Sequence, residues 1–181
     1  MKLGRLLLRA TVGSIFVVHG TQKLFGWFGG GGPDGTGQFF ESLGLRPGRR
    51  NALAAGTIET GGGILLAAGL ATPVAAAGLS SVMITALRTA IWSQGVRPGT
   101  GEFEVLLAVA ALSVADAGPG PWSLDAALRQ ERMGPGWAVA ALGAGAVGSS
   151  LAIAAGRRHR PPATEPAASA PAGAETVAAT S

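Results

Sequence analysis

The sequence predicts an all-α integral membrane protein: a four-helix transmembrane bundle with a fifth, C-terminal helix. Three observations carry this reading. The 181-residue chain is 48% hydrophobic and only 13% charged, whereas soluble domains average about 25% charged, and its mean hydropathy is +0.37. Its apolar residues fall in long runs separated by glycine- and proline-rich breaks. Inside the first run stand three polar residues, His19, Gln22 and Lys23, which a merely hydrophobic span would not carry.

The first run covers residues 6–28. Its 23 residues suffice for a bilayer core of about 30 Å at about 1.5 Å per residue. Basic Lys2, Arg5 and Arg9 ahead of it resemble the start of a signal peptide. A signal peptide has a short apolar region and a small-residue cleavage site. Here apolar character resumes after Lys23 as LFGWF with no such site, which predicts an uncleaved helix. His19, Gln22 and Lys23, spaced i, i+3 and i+4, share one helix face. A charge at the centre of a membrane helix costs about 2.5–3.5 kcal/mol on insertion scales and turns toward protein or water. Three polar groups in register therefore predict a site.

GGGGPDGTG (residues 29–37) reads as a flexible connector or lid. It lacks the GK[ST] ending of a phosphate loop. A short amphipathic piece, QFFESLGL, leads to Pro47. The second run, residues 51–70, contains Glu59 followed closely by three glycines, which let another helix approach. A tight turn at Ala71, Thr72 and Pro73 opens the third run, residues 73–92, with Arg88 near its end. The fourth, residues 102–117, begins with Glu102 and Glu104. Residues 118–133 are too polar to span. The fifth run, residues 136–156, has no charge, and the basic, then Pro- and Ala-rich stretch 157–181 predicts disorder. The organisation is thus a membrane domain over 1–133, an added helix over 134–156 and a tail.

Composition excludes several chemistries. Without cysteine the chain has no disulfide, no dithiol couple and no thiolate for a metal or Fe–S cluster. Two histidines argue against a metal site built only from protein ligands. The net charge of +4 is scattered among apolar runs, so the basic residues read as topology signals and not as a nucleic-acid surface. The expected partner is the lipid bilayer. Lys2, Arg5 and Arg9 favour a cytoplasmic N-terminus, while the basic residues of the loops favour the opposite orientation, and the sequence leaves both open.

If the runs alternate in direction, the polar residues fall in one leaflet. His19 and Glu59 each lie roughly 12–14 Å from the nearer end of their runs. Glu59 pairs naturally with Lys23 or His19, and Arg88 with Glu104, as buried charges require. Simpler roles exist for each. Lys23 could snorkel to the headgroups, Arg88 likewise, Glu104 suits a helix N-terminus, and a Glu59–Lys23 bridge could serve packing alone. Trp27, Phe28, Trp92 and Trp122 fit interfacial belts.

Five segments in order, HGTQKLFGWFGG from His19, GTGQFFESLGL from Gly35, ETGGGILLAAGLAT from Glu59, GEFEVLLAVAAL from Gly101 and GPGPWSLDAAL from Gly118, resemble the DoxX family over residues 4–128. That resemblance implies a four-helix, multi-pass protein of the bacterial inner membrane. It also implies kinship with a subunit of a thiosulfate:quinone oxidoreductase and with membrane systems that handle thiols and oxidative stress. His19, Gln22, Lys23, Glu59 and Glu104 match its pattern, whereas Arg88 stands where many members carry a histidine.

The expected function is the membrane subunit of a quinone- or thiol-linked oxidoreductase. Glu59, His19 and Lys23 would be catalytic, Gln22, Arg88 and Glu104 would bind substrate, and quinone would be the cofactor. Quinone reduction needs an apolar slot and proton donors for two oxygens. The alternatives are a non-catalytic anchor for a soluble redox partner, docked on residues 118–133, and a small-molecule transporter. A homo-oligomer fits any of the three.

Overall fold

The computed structural model describes residues 2–159. Among them all regular structure is helical: α1 (Lys2–Phe25), α2 (Gly32–Ser42), α3 (Gly48–Ala68), α4 (Thr72–Gln94), α5 (Glu102–Ala117), a single turn α6 (Leu124–Ala127) and α7 (Pro135–Arg158). Three of these, α1, α4 and α7, are long and apolar enough to cross a membrane. The other two runs fall short of that standard. α3 carries Arg49, Arg50, Asn51 and Glu59 among its 21 residues, and the 16 residues of α5 reach only about 24 Å at about 1.5 Å per residue. Even so, α3 and α5 turn large apolar side chains outward, Ile64 and Leu106 among them, as α1, α4 and α7 do with Leu7, Val74 and Leu151.

Two element boundaries differ from the sequence reading. α1 stops at Phe25 and not at Phe28, because Gly26 adopts a left-handed conformation (φ 72°) and a 3-10 turn, Trp27–Gly29, follows. His19 therefore sits six residues from its helix end, about 9 Å at 1.5 Å per residue, shallower than expected. The glycine-rich stretch is not a connector throughout. From Gly32 it is the first half of α2, started by Pro33 and by Asp34 in the first turn, where a proline and an acid suit the free N–H groups. At the other end of the chain α7 continues through Arg158, so the basic stretch begins as helix; residues 160–181, where disorder is expected, lie outside the described residues.

α1 and α3 run antiparallel and touch backbone to backbone. A Cβ on Gly13 would lie 2.5 Å from the Gly63 carbonyl oxygen, and one on Gly20 would lie 2.6 Å from the Thr60 nitrogen. Only glycine fits such approaches. α4 returns beside α3, and α5 packs on α4. α7 lies along α4 in the same direction: Gly145 meets Ser80, Ser150 meets Arg88, and Arg157 meets Trp92. The core fills the middle with Val12, Phe16, Leu66, Leu79, Leu107, Val114 and Ala141.

One end of the bundle is closed by residues 118–133. Asp125, 3% exposed, accepts hydrogen bonds from the backbone N–H of Ala71 and Thr72 and from the Thr72 hydroxyl, at 2.8, 3.1 and 2.9 Å. It thereby caps α4. Buried Arg9 donates to the carbonyls of Ala67 and Trp122, tying α1 to α3 and to the closing segment. The sequence reading treated Arg9 only as a topology charge and gave Asp125 no role.

Candidate functional site

The opposite end holds a cavity of about 400 Å³ enclosed mainly by α1 to α5. It lies where α1 and α4 end and where α3 and α5 begin. Its walls are largely apolar: Phe39, Phe40 and Leu43 from α2 and the residues after it, Ile58 from α3, Val82 and Met83 from α4, Phe103 and Leu107 from α5. The amphipathic stretch of α2, given no site role from sequence, is thus one wall. Its aromatic pair was the available signal.

Four ionisable side chains line the same space: His19, Lys23, Glu59 and Glu104. The Lys23 ammonium lies 2.6 Å from Glu59 Oε2, with the Glu59 side chain 1% exposed and that of Lys23 20% exposed. Lys23 also donates to the His19 carbonyl at 3.3 Å, within its own helix. The pair joins α1 to α3 beside the glycine seam, which brings the two helices close enough for a direct contact. The His19 ring meets Phe103 edge-on, with centroids 5.7 Å apart, so α5 packs against the imidazole. Glu104 lies in the first turn of α5 and within electrostatic reach of His19.

The cavity hydroxyls are occupied along their own helix. Thr85 donates to the Ser81 carbonyl at 2.8 Å and Thr89 to the Thr85 carbonyl at 3.0 Å. The polar character available to a guest is therefore concentrated on the imidazole, the ion pair and Glu104. A cavity of about 300–1,000 Å³ with apolar walls and a few converging polar groups is the common form of a small-molecule site.

Two expected site residues stand elsewhere. Gln22 does not line the cavity; its amide donates to the Phe28 carbonyl at 3.3 Å and braces the 3-10 turn. Arg88 does not line it either and does not pair with Glu104. It donates to Ser150 at 3.1 Å and lies against Ser149 of α7, because the fifth run packs on that face of α4. Among the described residues no group of histidines and carboxylates could hold a metal ion.

Outward apolar faces around a buried ion pair, with an apolar cavity at one end, define a helical membrane protein with an intramembrane small-molecule site. The DoxX family model matches residues 4–92, from α1 to near the end of α4, which include His19, Lys23 and Glu59. A relative from Bacillus subtilis (strain 168), named "Putative oxidoreductase CatD", is 36% identical over 124 residues, 68% of this chain and 86% of the relative. No solved structure matches significantly. The chain belongs to the DoxX family.

Proposed function

We propose that this protein is the membrane subunit of a quinone- or thiol-linked oxidoreductase system, and that the cavity takes a quinone ring. The observation that carries the reading is the meeting of one apolar cavity with His19 and the Lys23–Glu59 pair on its wall. The name of the CatD relative points to the same class of reaction. Reduction of a quinone takes two electrons and two protons. With thiosulfate as donor, two thiosulfates join through a new S–S bond as tetrathionate and release the two electrons; the two protons come from water by way of the site.

In this reading an N–H of Lys23 or His19 donates to one quinone oxygen and polarises it. Glu59, held beside Lys23, takes part in passing protons inward. Phe39, Phe40 and Phe103 pack on the ring and exclude water. The chain has no cysteine, so electrons arrive from the small donor directly or from a soluble partner protein. α1, α3, α4 and α5 form the four-helix core in the inner membrane, and α7 is a fifth crossing. Arg46, Arg49, Arg50, Arg97, Arg157 and Arg158 gather at the cavity end, which the positive-inside rule places in the cytoplasm.

The test is quinone binding and thiosulfate-dependent quinone reduction by the purified chain in lipid vesicles, wild type beside Glu59→Gln. We expect at least about a hundredfold loss of turnover, in keeping with loss of a proton-transfer group, with helical circular dichroism unchanged. Equal turnover in the two proteins, or a wild type that binds no quinone, would overturn the proposal in favour of an anchor or a transporter.

A further inference from the structure

Where α4 and α7 end side by side, two arginines share one indole. The Arg88 guanidinium lies 5.4 Å from the Trp92 ring centroid, and that of Arg157 lies 5.6 Å from the same centroid. Both distances are within the range of cation–π attraction. Ser150 accepts from Arg88 at 3.1 Å and leaves the rest of that guanidinium fork uncommitted. Among the described residues neither arginine makes an ion pair. Two like charges are thus drawn to one ring with no protein anion between them.

The place is also specific. Trp92 is 52% exposed and follows an apolar helix; Leu151 and Val147 of α7 face outward just inside it. Tryptophan and arginine at the end of apolar helices mark the headgroup level of a bilayer, and basic pockets between membrane helices on the cytoplasmic side take anionic lipid headgroups. The site does not line the cavity, and its argument is independent of the redox reading.

We propose that Arg88, Arg157 and Trp92 form a site for the phosphate of an anionic phospholipid, seated on the α4–α7 seam. Arg88 offers its planar fork to the phosphate oxygens, Arg157 closes over them from α7, and the acyl chains lie along the outward apolar face of α7. The shared chemistry with free phosphate is the phosphate oxygens; only the lipid adds acyl chains.

The test uses the full chain in zwitterionic micelles, given equal amounts of phosphatidylglycerol and phosphatidylcholine with the same acyl chains. Retained lipid is counted by native mass spectrometry. We expect about a tenfold preference for phosphatidylglycerol in the wild type, near-equal retention in Arg88→Gln/Arg157→Gln, and an unchanged preference in Arg49→Gln, whose exposed partner is Asp34. A wild type without preference overturns the site and needs no variant. So does a double variant that keeps the preference. Displacement of the lipid by millimolar inorganic phosphate would reassign the site to a free anion. If the double variant does not fold, Trp92→Leu keeps both charges, and its preference should fall about threefold; an unchanged preference rejects the shared-indole site.

Discussion

Lys23 and Glu59 show how a single contact can be both structure and chemistry. Glu59 is almost fully enclosed, and Lys23 is its ion-pair partner. Removing one member of a buried pair costs more than removing both, because the remaining charge stays desolvated. Lys23→Met should therefore lower stability by about 3 kcal/mol, and Lys23→Met/Glu59→Leu should recover most of it, both read by thermal unfolding in micelles. Loss in the single variant without recovery in the double would mean that the cavity needs the carboxylate itself. The pair was legible in sequence because a charge inside an apolar run demands a partner, and the spacing of His19, Gln22 and Lys23 named the face. Arg9 was not legible. Its acceptors are carbonyls 58 and 113 residues away, and beside Lys2 and Arg5 it looks like one more topology charge. The partner of Arg88 was hidden for the same reason, since only folding brings α7 onto α4.

At the scale of elements, joints matter more than helices. Ala71 holds a left-handed conformation (φ 47°, ψ 44°), which costs a non-glycine residue about 1–2 kcal/mol, and the Asp125 carboxylate offsets this by binding its N–H and the two donors of Thr72. Asp125→Ala should cost about 2–3 kcal/mol, the range for hydrogen bonds to a charged group, while Ala71→Gly should stabilise by about 1 kcal/mol; guanidinium or thermal unfolding reads both. Gly20→Val should push α1 from α3, cost about 1–3 kcal/mol as overpacking does and weaken the Lys23–Glu59 contact. Helix positions were legible where apolar runs ended in clear breaks, and residues 102–117 form α5 as read. α2 was misread because its glycines suggested a loop. Its helix rests on Pro33 and Asp34 at its start and on close packing against α3, and that packing leaves no mark in composition.

The whole molecule is a bundle with one sealed end and one hollow end. The sealed end carries Asp125 and the α6 turn, and the hollow end carries the cavity and most of the arginines. An orientation with the hollow end in the cytoplasm is directly measurable, because the chain has no native cysteine. Leu128→Cys, on an exposed position of the sealed end, should react with a membrane-impermeant maleimide in intact cells. Arg97→Cys, in the exposed loop before α5, should react only after the membrane is opened; the reverse pattern would invert the protein. The glycine seam has a mechanical meaning for the hollow end. α1 and α3 meet through bare backbone and behave as one welded strut, whereas α2, α4 and α5 enclose the cavity through side chains such as Phe39, Phe40, Met83 and Phe103, which turn and yield. One wall is stiff and the other is sprung. Guests of different bulk are taken up by the sprung wall, while the ion pair, borne entirely on the strut, keeps its spacing whatever the cavity holds.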